Sequence, residues 1–182
     1  MNKEDLVSVI MPTYNAGKYL ADSINSILNQ SYKNLELLIT DDASTDPTTL
    51  QLLQEFASKD NRVDILYLKE NHGAGYARNQ SIERAKGRYI AFCDSDDRWT
   101  TDKLEKQIAF MNKKKCALSC ASYIIFDGET QNEIGFCTAP KKITYGMMKR
   151  DNKVGCLTAI YDVQMLGRKF FMPTIRKRQD WA

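Results

Sequence analysis

The sequence has 182 residues, of which 43% are hydrophobic and 27% charged, and this composition is typical of a globular protein with one core. Its net charge of +3 is spread over 26 basic and 23 acidic residues, which argues weakly for contact with anionic phosphates or a lipid surface and does not indicate nucleic-acid binding. The five cysteines include no Cys-x-x-Cys pair, so neither a disulfide framework nor a zinc site is expected. No apolar run approaches the roughly 20 residues of a membrane span, and we expect a cytoplasmic protein.

Over about the first 110 residues, short β-rich runs alternate with helical patterns, which is typical of a parallel sheet built from βαβ units. The predicted strands are residues 7–11, 35–40, 63–68, 88–93 and 117–126. The predicted helices cover residues 20–28, 47–56, 74–86 and 101–112, and Asp46 is expected to cap the second, which opens with Pro47. The sequence therefore predicts an α/β fold with a mostly parallel, Rossmann-like sheet flanked by helices.

The pattern becomes less regular after the turn signal Asp127-Gly128, with a further strand expected at residues 157–161. We expect this half to extend the sheet rather than to form a second domain, so residues 1–182 make a single domain. The sequence stops at Trp181-Ala182 without a helix cap or a polar tail. We therefore expect a chain that is truncated at its C-terminus.

Three polar clusters follow predicted strands, at residues 12–15, 41–46 and 94–97. In an open parallel sheet these points all lie at the carboxyl edge, where ligands bind. We therefore expect the three clusters to converge on one site.

The third cluster, Asp94-Ser95-Asp96-Asp97, places three carboxylates within four residues. Such charges repel one another unless a cation lies among them, and Mg²⁺ or Mn²⁺ prefers oxygen ligands, often with substrate phosphates. A solvated turn whose side chains bind nearby amides is the alternative. The position directly after a buried strand favours the metal.

A glycine-containing loop at residues 71–79 follows the third strand and opens a helix, so its amides and Arg78 are expected to face a phosphate or a nucleotide. Gly73-x-Gly75 also allows a dinucleotide-binding interpretation and hence a nicotinamide-dependent oxidoreductase. Arg78 stands in place of the third glycine, and the first strand is followed by Pro12 rather than by glycines. Both departures weaken that alternative.

Four segments, at residues 7–15, 38–46, 71–79 and 94–97, resemble in order and spacing the motifs of the family 2 glycosyltransferases, which are inverting enzymes. The resemblance covers essentially the whole chain and is strongest over residues 5–112. It implies a GT-A fold, with residues 1–112 as the nucleotide-sugar-binding half and residues 113–182 as the start of an acceptor-side half.

The resemblance also implies roles on the donor side. Pro12 and Tyr14 would line the nucleobase pocket, Asp42 would hydrogen-bond the base, and Asp41 would assist or shape the turn. Its pattern further supports Arg78 as a nucleotide-binding residue.

In the Asp-x-Asp motif, the same resemblance places Asp94 near the ribose or base and Asp96 on a metal that bridges the diphosphate, with Asp97 as a further ligand or as a residue beside one. The metal, Mn²⁺ or Mg²⁺, would neutralise the departing diphosphate. Near the C-terminus, Asp180 is the candidate general base that takes the acceptor hydroxyl's proton. Where the family often has two adjacent acids, this chain has Gln179 before Asp180.

We therefore expect an inverting glycosyltransferase that moves a sugar from a nucleoside-diphosphate sugar, UDP-linked in the first instance, to a hydroxyl acceptor in polysaccharide or cell-surface glycan synthesis. A glycan or lipid-linked acceptor is expected, with peripheral contact at the inner face of the membrane. The alternatives are a non-catalytic nucleotide-binding domain and, less favoured, the NAD-dependent oxidoreductase. Composition and periodicity by themselves predict only the α/β sheet.

Overall fold

The computed structural model describes residues 5–152 and 154–173 of the chain. Its main sheet has six strands, of which the first four in sequence are parallel to one another and one later strand runs antiparallel to both of its neighbours. In spatial order the strands are β3 (Val63–Tyr67), β2 (Leu35–Asp41), β1 (Val7–Thr13), β4 (Tyr89–Phe92), β8 (Ile160–Asp162) and β5 (Leu118–Ser119). The predicted mostly parallel sheet is confirmed.

Strand β1 lies in the middle of the sheet, and all seven of its residues are buried. Val9 packs in one hydrophobic cluster and its neighbour Ile10 in the other, because successive side chains of a strand point to opposite faces. The helices are α1 (Tyr19–Leu28), α2 (Pro47–Lys59), α3 (Ala74–Arg84), α4 (Lys103–Lys114), α5 (Tyr145–Arg150) and α6 (Val163–Leu166). Helices thus cover both faces of a sheet that is apolar on both.

The start of α2 follows the prediction. Asp46 Oδ2 accepts a hydrogen bond from the Thr49 amide at 2.8 Å, and Pro47 is the first helical residue. Leu53 is fully buried. The cap satisfies an amide that has no partner within the helix.

Several element boundaries differ from the prediction, and two of them have a clear structural cause. Strand β1 continues to Thr13, because it pairs with β2 as far as Asp41. Helix α3 ends at Arg84 rather than at residue 86, since the next amides bind elsewhere: the Lys86 amide donates to Glu36 Oε1 at 2.8 Å and the Gly87 amide to Ser8 Oγ at 2.8 Å.

The strand predicted at residues 117–126 is wrong as one element. Only Leu118–Ser119 joins the main sheet, whereas Tyr123–Phe126 (β6) pairs antiparallel with Glu133–Cys137 (β7) in a separate two-stranded sheet. The turn at Asp127-Gly128 is the turn of this hairpin, in which Asp127 Oδ1 accepts the amides of two following residues. The sequence does not show where one strand ends and the next begins, because the apolar pattern continues across both strands although they pair with different neighbours.

The strand predicted at residues 157–161 is confirmed in part. A 3₁₀ helix occupies Cys156–Thr158, and the strand itself is β8, Ile160–Asp162. It lies between β4 and β5 and runs antiparallel to both, so the second half does extend the sheet. No helix in the described ranges is both long and apolar enough to cross a bilayer.

Candidate functional site

The turns that follow β1, β2 and β4 meet at one edge of the sheet. The Asp42 amide donates to the Thr13 carbonyl at 2.9 Å, and the Cys93 amide donates to the Ile10 carbonyl at 3.1 Å. A cavity of about 180 Å³ opens there and is lined by Pro12, Thr13, Tyr14, Asp42, Ala74, Arg78, Asp94, Ser95 and Asp96. We call it the small cavity. It brings together six of the residues predicted from sequence, as the topology of a parallel sheet requires.

Asn15 joins the first polar turn to the second. Its Oδ1 accepts hydrogen bonds from the amides of Thr45 and Asp46 at 2.8 and 2.9 Å, and its own amide donates to Ser44 Oγ at 2.9 Å. The residue has a φ of +48°, a conformation that asparagine tolerates better than most side chains. Beside it, Tyr14 is 52% exposed, so its ring is not part of the core. Sequence analysis included Asn15 in a motif but gave it no role.

Asp42 is nearly fully buried, and each of its carboxylate oxygens is engaged. Oδ1 accepts the His72 amide at 2.9 Å, and Oδ2 accepts the Gly73 amide at 2.7 Å. Asn71 Nδ2 also donates to the Asp42 carbonyl at 3.1 Å. Asp42 therefore fixes the loop that leads into α3, where Gly73 has a φ of +92° that strongly favours glycine.

Asp41 presents the opposite case. Its Oδ2 accepts the Ser44 amide at 3.0 Å, whereas Oδ1 is buried and accepts no hydrogen bond from the protein. The hydroxyl of Thr13, which is paired with Asp41 across the sheet, is likewise buried without a hydrogen bond. Buried polar atoms normally have a partner, so this pair leaves hydrogen-bonding capacity for a water molecule or a ligand.

Arg78 and Asp94, both predicted to contact the nucleotide, contact each other. Arg78 Nη2 donates to both carboxylate oxygens of Asp94, at 2.6 and 2.7 Å. Arg78 is 7% exposed, and the Asp94 side chain is 31% exposed. The pair reaches from α3 to the end of β4 and forms one wall of the small cavity.

Asp96 and Asp97 carry the uncompensated charge of the acidic turn. Asp96 is exposed, whereas burial, together with the charges of Asp94 and Asp96, raises the pKa of Asp97 to about 7. The Asp97 amide donates to the Asp94 carbonyl at 3.1 Å, so the turn holds the carboxylates close together. An added cation would relieve this repulsion.

The donor set fits a hard divalent cation, since carboxylate oxygens are the ligands that Mg²⁺ and Mn²⁺ prefer. Among residues 5–152 and 154–173, no three His, Cys, Asp or Glu side chains form a group able to hold an ion. An ion at Asp96 or Asp97 would therefore complete its coordination with water and with oxygens of a ligand, as Mg²⁺ commonly does.

A second cavity, of about 990 Å³, opens on the other side of Asp96. We call it the large cavity. Its walls come from the acidic turn, from α1 and α4, and from the β6–β7 hairpin, and Asp96 lines both cavities. A ligand at the small cavity and a ligand in the large cavity would therefore meet at this carboxylate.

Trp99 and Lys103 form the floor of the large cavity, and sequence analysis gave neither a role. Trp99 Nε1 donates to the Leu157 carbonyl at 3.0 Å, and Lys103 Nζ lies 3.9 Å from the centre of the Trp99 ring. This ammonium is buried without a hydrogen bond, and burial lowers its pKa to about 7. Because Trp99 lies before α4 begins, helical spacing in the sequence gives no signal for this contact.

Two polar contacts attach the hairpin to the rest of the fold, one from Arg98 directly after the acidic turn and one from Tyr19 of α1. Arg98 Nη2 donates to Gln131 Oε1 at 2.6 Å, and Tyr19 Oη donates to the Gly128 carbonyl at 3.2 Å. The Arg98 guanidinium also lies 5.4 Å from the centre of the Phe126 ring. Because these contacts meet at the hairpin turn, they hold the outer wall of the large cavity in place.

The candidate base Asp180 lies outside the described residues and stays a prediction. His72, the single histidine of the sequence, is exposed and lies against Tyr76, with 4.5 Å between ring centres. This position agrees with a solvated loop residue.

Comparisons with known proteins give the same family. The model of the family "Glycosyl transferase family 2" matches residues 8–171. The chain is 45% identical over its full length to TuaG of Bacillus subtilis, named for teichuronic acid biosynthesis, and covers 71% of that protein. It is 41% identical over 94% of its length to the UDP-Glc:alpha-D-GlcNAc-diphosphoundecaprenol beta-1,3-glucosyltransferase WfgD of Escherichia coli, and covers 66% of it.

Among solved structures, TarS 1–349 of S. aureus in complex with UDP superimposes with a TM-score of 0.74 and 25% identity. The match covers 96% of this chain and 52% of that one, so the chain spans about half of the solved structure. This likeness confirms the GT-A fold. With the family established, the nicotinamide-dependent alternative no longer applies, and the chain belongs to glycosyl transferase family 2.

Proposed function

We propose that the chain transfers a glycosyl group from a UDP-sugar to a hydroxyl of a glycan or lipid-linked acceptor, with inversion at the anomeric carbon. One observation carries the proposal: Asp96 lines both the small and the large cavity. The bond that breaks lies between the donor's sugar and its diphosphate, so donor and acceptor must meet where a diphosphate and its cation are held. Asp96 is the residue at that junction.

The small cavity is the proposed donor site. Tyr14 has an exposed ring against which a nucleobase can stack, and Arg78 offers guanidinium N–H groups to a phosphate. The solved relative with UDP bound supports a uridine nucleotide here. The Arg78–Asp94 contact holds both side chains in position before the nucleotide arrives, which lowers the ordering cost of binding.

Asp41 and Asp42 have different roles in this proposal. Each carboxylate oxygen of Asp42 accepts one hydrogen bond from the loop, from the amides of His72 and Gly73. Asp41 keeps a buried oxygen without a hydrogen bond. A uracil N–H needs an acceptor that a ligand can reach. Asp42 lines the small cavity whereas Asp41 does not, so Asp42 is the stronger candidate for base recognition and Asp41 shapes the turn.

A divalent cation is proposed at Asp96, with Asp97 beside it. Glycosyltransferases with the GT-A fold generally use one, and when bound it neutralises charge that develops on the departing diphosphate. The residues of the chain supply the ligands and keep the site partly dehydrated, since Asp97 is buried enough to raise its pKa to about 7. Titration calorimetry with each ion distinguishes Mn²⁺ from Mg²⁺.

The large cavity is the proposed acceptor site. An acceptor oxygen attacks the anomeric carbon from the face opposite the diphosphate, a C–O bond forms as the sugar–phosphate bond breaks, and the proton passes to a carboxylate base. Asp180 is the proposed base. A lipid-linked acceptor is consistent with the name of the relative WfgD and with the apolar side chains that line this cavity.

Titration calorimetry with UDP, with and without Mn²⁺, tests the donor site. We expect metal-dependent binding that Asp96→Ala abolishes and that Glu55→Ala, at a partly exposed position of α2, leaves unchanged. Binding that ignores the metal, or that survives in Asp96→Ala, contradicts the proposal. Release of UDP from a UDP-sugar in the presence of acceptor then separates transfer from nucleotide binding alone, which is the remaining alternative.

A further inference from the structure

The segment Ile134–Arg150 combines exposed basic side chains with exposed apolar ones. It contains four basic side chains, Lys141, Lys142, Lys149 and Arg150, and no acidic one. The whole chain has a net charge of +3, so removing these four leaves the remainder at −1. The segment thus carries a local net charge of +4, between the flanking acids Glu133 and Asp151.

The same segment contains the three most exposed large hydrophobic side chains in the described part of the chain. They are Tyr145 at 79%, Ile134 at 66% and Phe136 at 65% exposure. All four basic residues are exposed as well, and Lys149 Nζ lies 5.4 Å from the centre of the Tyr145 ring. Exposed apolar groups of this size usually mark a surface that binds something.

Apolar and aromatic side chains among exposed lysines and arginines are characteristic of segments that lie in the interface of an anionic bilayer. The apolar groups enter the acyl boundary, and the cations interact with lipid phosphates. A neutral protein partner would match the apolar groups but leave four like charges uncompensated. The charge therefore selects an anionic lipid surface over a neutral partner.

The position of the segment relative to the large cavity agrees with this role. Phe136 of β7 lines the large cavity, and the rest of the segment continues from β7 into α5. A bilayer beneath the segment would consequently lie at the rim of the proposed acceptor site, on the side bounded by the hairpin. A lipid-borne acceptor could then enter without leaving the bilayer.

We infer that Ile134–Arg150 docks the protein on an anionic lipid bilayer and sets the large cavity at its surface. The docking itself does not depend on glycosyl transfer. The delivery of a lipid-linked acceptor rests on the function proposed above.

Co-sedimentation of the whole chain with vesicles tests the inference. We expect binding to phosphatidylcholine vesicles that contain phosphatidylglycerol, weaker binding to phosphatidylcholine alone, and loss at high salt. Lys141→Gln with Lys142→Gln should weaken binding about thirtyfold. Ile134→Ser with Tyr145→Ser should weaken it on both kinds of vesicle.

Matched controls come from α4, where Lys113→Gln with Lys114→Gln removes two exposed charges and Phe110→Ser removes a 49% exposed ring. These should bind as the unchanged chain does. The inference is overturned if anionic vesicles do not bind, if both segment variants bind normally, or if sedimentation shows a dimer that Ile134→Ser with Tyr145→Ser dissociates, since a second copy then covers the segment. UDP titration on the same samples shows whether the donor site is intact, so a failure of lipid binding can be distinguished from a failure of the proposed donor site.

Discussion

Arg78 Nη2 lies 2.6 and 2.7 Å from the two carboxylate oxygens of Asp94. The contact links the first turns of α3 to the loop after β4, sixteen residues away in sequence. Because Arg78 is nearly buried, its charge has little access to water, and the carboxylate compensates it. The same contact leaves the acidic turn with two rather than three uncompensated carboxylates.

Replacing Arg78 by Met should lower the free energy of unfolding by about 2 kcal/mol, because the half-buried Asp94 carboxylate then loses its partner. The free energy of unfolding of Arg78→Lys should lie between those of the unchanged chain and of Arg78→Met, since one ammonium replaces the planar guanidinium. Urea denaturation measures each value.

The double variant Arg78→Met with Asp94→Asn provides the control for this pair. Its loss should be smaller than the sum of the single losses by about 1 kcal/mol or more, as for residues in contact. Additive losses would show that the ion pair contributes little to stability.

Asp42→Asn should lower the free energy of unfolding by about 1 to 3 kcal/mol, because an amide NH₂ replaces an acceptor that faces a backbone N–H. The loop at His72 and Gly73 should loosen first, which faster hydrogen exchange of those two amides would detect. Asp41→Asn leaves both loop contacts intact and should lower UDP affinity less than Asp42→Asn does. The reverse ranking of the two variants in UDP affinity would assign base recognition to Asp41.

The sequence predicts best where the determining contacts are local. Strands β1 and β2, the cap at Asp46 and the polar turns at the sheet edge follow from patterns within a few residues. It fails where partners are distant: Arg78 and Asp94 each fit a ligand role, and no local pattern indicates that they bind each other. The run at 117–126 fails for a related reason, because its division depends on pairing with Glu133–Cys137.

The raised pKa of Asp97 predicts a pH dependence of stability in the absence of metal. The folded protein holds this proton up to about pH 7, whereas an unfolded aspartate releases it near 3.9. Between these values the folded state binds more protons, so stability falls as pH rises. Thermal unfolding over this range measures the slope.

Asp97→Asn should remove that slope and raise stability at alkaline pH by about 2 kcal/mol, a value reduced by partial solvent screening. Asp96→Asn removes one of the charges that raise the pKa of Asp97, and should move the midpoint of the slope to lower pH. A slope that persists unchanged in Asp97→Asn would assign the titration to another group.

The lowered pKa of Lys103 predicts a pH dependence of stability with the opposite sign. Burial lowers its pKa to about 7 in the folded protein, whereas an unfolded lysine keeps its proton to about 10.4. Between these values the unfolded state binds more protons, so stability rises with pH. Contact with the Trp99 ring at 3.9 Å offsets part of the burial cost.

Lys103→Met preserves most of the side chain's volume and removes the buried charge. It should be more stable than the unchanged chain by about 2 kcal/mol below neutral pH, and the difference should shrink as pH rises toward the pKa of free lysine. The Lys106 side chain is 74% exposed on the same helix. For Lys106→Met, the difference in stability from the unchanged chain should therefore not change with pH in this way. If Lys103→Met is instead less stable at every pH, the ring contact outweighs desolvation, and Lys103 holds Trp99 in the floor of the large cavity as a charged group.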